Sequence, residues 1–429
     1  MKKKILITIL IISGLSINIS AQKNTNSPYT RFGYGELVDA GFGRSKGIGG
    51  VAFGLRSKSM INPANPAAFS CIDSTSFLFE FGVSGLLSNF ATKNASTSKF
   101  TGNLDYFALQ FPVTKWLGMS AGILPYSFAG YNFALKDSTL MPSTNDSVYI
   151  RRNKSFSGNG SISQIYLGLS VDLFKRLSLG VNGYYMFGTI NHLRVFNGSA
   201  SDNRPFYAGV YNSELKVNSF NVRFGLQYHQ PLRQKKDLLV IGAIYEFQTK
   251  LGSTFTSTLI TTDTISNAIK SDTANIFQLP NVYGIGITYS YDNRLLIGAD
   301  FQFQQFSKTK FYNNNPLDYY YKLNDRMKIS VGAEYIHKPT SNKYIDRMSW
   351  RLGANYTNSY INVNGRGTQN FAITAGVGFP FPRSNSVVNL NIEYGKIGST
   401  ANEMILEQYV RFGVNLTLNE NWFFKSRVR

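Results

Sequence analysis

Residues 165–173 alternate without a break. Ile165, Leu167, Leu169, Val171 and Leu173 fall on one side, and Tyr166, Gly168, Ser170 and Asp172 on the other. A period of two is the signature of a strand. After the tight connection at 174–176 the alternation resumes. Leu177, Leu179, Val181, Tyr185 and Phe187 oppose Ser178, Gly180, Asn182 and Tyr184. Residues 295–304, 388–394 and 410–417 follow the same rule. About fourteen such stretches begin near residues 75, 103, 116, 160, 176, 217, 237, 281, 294, 326, 348, 370, 386 and 407. They reach the roughly 9–11 residues that a membrane-spanning strand needs. Strands of soluble domains average nearer about 5–6.

The connections alternate in length. Short ones lie at 113–115, 174–176, 231–236, 291–293 and 380–384, and long ones near 86–102, 130–159, 191–216, 251–280 and 308–325. One connection on the short side, near 339–347, is longer than its neighbours. Outer-membrane barrels have short periplasmic turns and longer outer loops. An even strand count with both ends on the periplasmic side closes the wall without an edge. Aromatic residues at strand ends, as at Tyr106 and Phe107, Tyr184 and Tyr185, and 422–424, suit interfacial girdles. The expected fold is therefore all-β, a transmembrane antiparallel β-barrel of about fourteen strands over 71–418. A soluble sandwich array or propeller is the alternative, but no repeat of about 40–50 residues supports a propeller.

The first residues give an address. Lys2, Lys3 and Lys4 precede a short apolar run, and a small-residue cleavage site follows at Ala21. This predicts a signal peptide over 1–21, Sec-type export and residence in the cell outer membrane. An uncleaved anchor is the alternative. No cysteine stands at the cleavage point, so lipidation there is excluded. The single cysteine, Cys71, is expected to be a packed thiol. The formal charge of +20 could suggest nucleic acid, but the basic residues are dispersed and nucleic acid is not an expected partner.

The polar alternates of a barrel face its lumen. They include Glu80, Asp172, Glu246, Asp300, Glu334 and Glu393, with Arg223, Arg351 and Arg411. Such charges need water or partners. Residues 22–70 precede the first strand. They carry Lys23, Arg31, Arg44, Lys46, Arg56 and Lys58 against Glu36 and Asp39. A basic segment complements an acid-rich lumen. This segment is also rich in small residues and holds two Asn-Pro steps, Asn62–Pro63 and Asn65–Pro66, which favour turns over helix. It is expected to be a short N-terminal plug, with a flexible periplasmic tail as the alternative. Gly47, Gly49 and Gly50 permit close packing. They and Asn62, Pro63, Ala64, Asn65 and Pro66 are the candidate gate. Residues 419–429 are expected to form a basic periplasmic tail.

At these residues the chain resembles the FadL family of outer-membrane transporters of hydrophobic compounds. The resemblance rests on the Gly-rich stretch 47–69 with its Asn62–Pro63–Ala64 turn, and on residues 279–307, a Leu-Pro entry to a hairpin. Residues 27–37 and the closing residues 406–429 are similar to FadL-related barrels of the Bacteroidetes type, which include PorV-like members that serve protein export. The resemblance implies fourteen strands behind a plug. It implies passive uptake of a hydrophobic small molecule, or a non-transporting scaffold in an outer-membrane secretion or assembly complex.

Other signals carry less. Residues 47–52 fit a dinucleotide fingerprint, yet no strand precedes and no helix follows. His192, His229 and His337 lack metal spacing, and no nucleophile motif accompanies His192. No enzyme activity, metal or cofactor is expected. Under the transport reading, Phe128, Tyr131 and Phe133 are candidate mouth residues for the ligand. Expected partners are outer-membrane lipids with a hydrophobic small molecule, or outer-membrane and secreted proteins.

Overall fold

The structure, a computed structural model, describes residues 24–142, 147–174, 176–200, 208–233, 236–261, 269–274, 277–310, 321–363, 365–382, 384–400 and 404–422. The expected signal peptide and residues 423–429 lie outside the described residues.

Fourteen antiparallel strands close into a barrel. They are β1 (Ser76–Ala91), β2 (Ser96–Pro112), β3 (Leu117–Pro142), β4 (Ser147–Leu173), β5 (Leu177–Ala200), β6 (Gly209–Leu232) and β7 (Asp237–Glu246). There follow β8 (Val282–Tyr291), β9 (Leu295–Gln304), β10 (Arg326–Ile336), β11 (Ser349–Val363), β12 (Arg366–Pro380), β13 (Val387–Ile397) and β14 (Leu406–Asn421). Ring closure is made by β1 and β14, in register from Ser76 opposite Asn421 to Ala91 opposite Leu406. The wall begins at Ser76 rather than 71 and runs to Asn421 rather than 418.

The period-two pattern becomes an inside-out barrel. Ile285, Ile297, Ile329, Leu352, Ile373 and Phe412 are exposed on the outer face. Ser120, Asn182, Thr288, Glu334, Thr374 and Asn415 are buried on the inner one. Lipid covers the first set and spares it the cost of facing water. The aromatic girdle differs in part from expectation. Phe107 is exposed, but Tyr106 and Tyr184 point inward and are buried. Trp116, Trp350, Phe381 and Trp422 are exposed near the strand ends joined by the short turns.

The expected long loops are mostly strand. β3 has 26 residues and β4 has 27, far beyond the span of the bilayer. Their upper halves pair with each other, from Gly130 opposite Asn159 to Pro142 opposite Ser147. There the apolar alternation that marks a half-buried strand fades from the sequence while the hydrogen-bond ladder continues. The 86–102 stretch is likewise the β1–β2 hairpin, with its tip at 92–95.

Among the described residues the ladder of the wall stops short between β2 and β3. β2 and β3 pair only between Phe107 opposite Ile123 and Pro112 opposite Gly118. Two residues beyond Ile123 comes Pro125, which has no N–H to donate, and a bulge in the β3–β4 register. Above this point β3 pairs instead with a two-residue strand of the N-terminal segment, Glu36 opposite Phe128 and Leu37 opposite Ser127.

Candidate functional site: the lumen and its N-terminal segment

Residues 24–75 run through the lumen. Backbone meets backbone where the wall offers glycine. A side chain at Gly353 would place its Cβ 2.2 Å from Gly49 N, so only glycine lets the two chains approach. The turn residues bond inward and outward. Asn62 Nδ2 donates to Ala52 O (2.7 Å) and Leu55 O (2.9 Å). Asn65 Nδ2 donates to Phe53 O (2.8 Å), while its Oδ1 accepts from Ala67 N (3.1 Å) and caps the short helical turn Pro66–Cys71. Pro63 O accepts from Asn182 Nδ2 (3.1 Å) and Arg223 Nη1 (3.4 Å) of the wall. Asp300 Oδ2 accepts from both Ala52 N (2.6 Å) and Phe53 N (2.8 Å). Gly47 O accepts from Thr374 Oγ1 (3.2 Å), which in turn accepts from Gly49 N (2.8 Å). Ala64 packs in a small apolar cluster with Ala52, Phe53, Ile244 and Val282, and Gly50 N donates to Ser45 O (2.9 Å).

Ion pairs tie the segment to the wall. Arg44 donates twice to Glu334, at 2.9 and 2.6 Å. Arg56 Nη2 reaches Asp172 Oδ1 at 2.9 Å. Lys46 pairs with Asp105. In the other sense, Glu36 pairs with Arg411 (3.2 Å), and Asp39 with Lys328 and Arg326. Burial alone would raise the Asp39 carboxyl, but Lys328 and Arg326 outweigh it and hold the group down at about 2. Tyr29 donates to Ile405 O, and burial, reinforced by the Glu407 charge, pushes its hydroxyl up to about 12. Cys71 is half-buried and burial pushes its thiol up.

The nine charged lumen residues read from the sequence form separate clusters rather than one network. Arg351 Nε donates to Glu334 Oε2 (2.6 Å) beside Arg44. Arg223 pairs with Glu246, which also accepts from Asn221 Nδ2 (2.9 Å). Glu393 accepts from Tyr409 (2.8 Å) and lies 3.9 Å from Arg411. Asp172 is held by Arg56 and Ser70, and Asp300 by backbone amides. Glu80 accepts from Thr417 (2.6 Å), and its Oε2 is buried without a hydrogen-bond partner. Sequence reasoning missed Asp105, Arg326 and Lys328. The last two share the inward face of β10 with Glu334, so the alternation alone could have found them.

The candidate mouth residues lie beside the incomplete wall. Phe128 is half-buried opposite Glu36. Tyr131 is buried, bonds to His192 Nδ1 (2.7 Å) and sits beside Phe133, which stacks on Phe156. The N-terminal segment lines the gap. Val38 N donates to Tyr126 O (2.9 Å), Gly130 N donates to Thr30 Oγ1 (3.0 Å), and Asn103 Nδ2 of β2 donates to Asn24 O (2.8 Å).

The lumen keeps small cavities of mixed polar and apolar lining. A cavity of about 200 Å³ is lined by Glu36, Asp39, Lys46, Asp105, Lys328 and Arg411 among others. A second, of about 70 Å³, lies between Arg223, Glu246, Asp300 and Arg326. The lumen's apolar side chains pack on one another instead. Phe42 stacks on Tyr106 with centroids 3.6 Å apart, and Phe306 packs on Tyr360. Among the described residues no group of three or more His, Cys, Asp and Glu side chains could hold a metal ion.

A family model described as BamG matches residues 1–429. No curated protein matches the chain. Solved barrels do. A Pseudomonas aeruginosa FadL homologue is 12% identical with a TM-score of 0.60, over 90% of this chain and 99% of that one. The Ralstonia pickettii toluene transporter TbuX is 17% identical with a TM-score of 0.57, over 89% and 98%. The Pseudomonas putida toluene transporter TodX is 15% identical with a TM-score of 0.58, over 90% and 100%. At such identities the likeness is one of fold, that of a FadL-like outer-membrane barrel.

Proposed function

The chain belongs to the BamG family, and on that premise we propose that it is a closed barrel serving as a scaffold in an outer-membrane assembly complex. One observation carries this reading. The lumen is filled by the N-terminal segment, which is fixed by ion pairs and backbone hydrogen bonds on several sides of the wall. A hydrophobic solute needs an apolar pocket with few polar groups. In the lumen cavities opposed charges stand beside apolar side chains such as Leu37 and Ile361, and an apolar solute would have to desolvate those charges without return. The name of the family points the same way, toward assembly. In this role the segment is a plug that stays in place, and the barrel supplies surfaces to other proteins.

A second reading, passive uptake of a hydrophobic small molecule, draws on the gap between β2 and β3. There the ladder stops halfway up the wall, and Phe128, Tyr131 and Phe133 stand near it. A small apolar molecule could pass sideways into the membrane if residues 24–38 moved.

Proteoliposomes separate the two. Under the scaffold reading, toluene and a long-chain fatty acid enter vesicles carrying the purified barrel no faster than empty vesicles. Saturable entry, faster than the empty control, would overturn it in favour of uptake.

A further inference from the structure

The N-terminal segment lies on the wall strand by strand. Gln110 Nε2 of β2 donates to Phe69 O (3.0 Å), Ser170 Oγ of β4 to Ala67 O (2.9 Å), and Asn182 Nδ2 of β5 to Pro63 O (3.1 Å). Farther round, Gln227 Nε2 of β6 donates to Phe53 O (3.0 Å), Thr288 Oγ1 of β8 to Gly54 O (2.6 Å), and Thr374 Oγ1 of β12 to Gly47 O (3.2 Å). Followed backward from Phe69 to Gly43, the segment winds round the inner wall and meets the strands broadly in their chain order. Backbone rests on backbone along the way. A Cβ on Gly242 of β7 would collide with Phe53 O, and one on Gly332 of β10 with Ile48 O. Such close packing leaves the segment no room to slide.

The winding ends on the seam where the barrel closes. There β1 pairs with β14, the pairing of the wall most distant in sequence and so the one with the largest loop-closure cost. Gly43 reaches across it. Its N donates to Tyr106 Oη of β2 (2.8 Å), its O accepts from Asn391 Nδ2 of β13 (2.9 Å), and its Cα packs against Asn415 of β14. Phe42 stacks on Tyr106, and Lys46 pairs with Asp105 of β2. Residues 42–46 thus hold both flanks of the seam at once. Entry of the segment after closure is obstructed. It starts at the long-loop end of the lumen, where Tyr29 donates to Ile405 O, and ends at the short-turn end, where Trp422 N donates to Thr75 O (3.1 Å). Late threading would draw its free end through the whole lumen, past the charged side chains of the wall.

We infer that the N-terminal segment is an intramolecular template for its own barrel: the wall strands assemble onto residues 43–69, and residues 42–46 bring β2 and β13 together so that β1 and β14 pair. This role precedes whatever the finished barrel does, so it stands with either reading of the function.

The test is refolding of the purified barrel from urea into detergent micelles. Heat-dependent gel migration times the closure of the wall, and pulsed hydrogen exchange times the protection of the segment. The amides of Gly43, Gly49, Ala52 and Phe53, all bonded to wall side chains, are expected to be protected by the time the heat-shifted form appears. Phe42→Ala removes a seam contact from the segment side and leaves every wall residue in place. It is expected to slow closure about tenfold or more, as loss of a contact already made in the transition state does. A heat-shifted barrel whose residues 43–53 still exchange freely would overturn the inference. So would a Phe42→Ala chain that closes at the wild-type rate while its segment exchanges faster, since the segment would then dock only after the wall has closed. If Phe42→Ala never closes, the order of protection and closure in the wild-type chain decides alone.

Discussion

Asp300 is where the wall grips the N-terminal segment by its backbone, and Asp300→Ala tests that grip. The side chain is buried on β9, and one oxygen accepts the amides of Ala52 and Phe53 at 2.6 and 2.8 Å. Removing it leaves two buried donors unmet. Each such donor costs about 1–3 kcal/mol, so the loss to segment docking is about 2–6 kcal/mol. At about 1.4 kcal/mol per decade, that is a rise of about thirty-fold to about twenty-thousand-fold in the population with the segment undocked. Hydrogen exchange of the purified barrel reads this directly at residues 47–56. Asp300→Asn keeps an acceptor for both amides but turns its NH₂ toward the place where Oδ1 has no partner. It is expected to fall between wild type and alanine. Unchanged exchange at 52 and 53 in Asp300→Ala, with the barrel folded, would refute the claim that this carboxylate holds the segment.

Gly353→Val puts a side chain against Gly49 N and Ile48 C. Backbone on both sides leaves little room to relax, so it destabilises docking by about 1–3 kcal/mol or more, read as new protease cleavage within residues 40–60. Glu334→Ala strands Arg351 and Arg44 near the base of the lumen and lowers the denaturation midpoint by an amount equivalent to about 3–5 kcal/mol. Replacing Glu334, Arg351 and Arg44 together by Leu, Met and Met costs less than the single change, because no unpaired charge remains. Acid weakens the Asp39 latch. Its carboxyl is depressed in the folded chain to about 2, against about 3.9 unfolded, so its contribution is complete above about pH 4 and is lost as pH falls toward 2. Asp39→Asn should remove that part of the acid dependence from a pH series of segment exchange.

Much of the wall was legible in the sequence. Alternation placed most strand starts within a few residues, for example Leu295, Arg326 and Leu406, because lipid on one side and polar lumen on the other impose the same period along each strand. The errors came where that contrast ends. β4 begins at Ser147, well before the expected 160, because residues 147–159 are mostly polar on both sides of the pleat and show no apolar alternation. Tyr106 and Tyr184 resembled girdle residues but face inward, and for Tyr184 the alternation had already set it on the polar side with Asn182. The partners of Glu36 and Asp39 were hidden by distance along the chain. Arg411 lies 375 residues from Glu36, and Lys328 lies 289 residues from Asp39. The gap between β2 and β3 had one local sign, Pro125, but a proline shows only that a ladder breaks, not that the N-terminal segment fills the break.

The most direct test of the account is gentle extraction of the tagged chain from the outer membrane, followed by native mass spectrometry. The account predicts stoichiometric outer-membrane or periplasmic proteins bound to a barrel whose lumen carries no small molecule. A solitary barrel that retains a fatty or aromatic compound would contradict it and restore the chain to the transporters whose fold it shares.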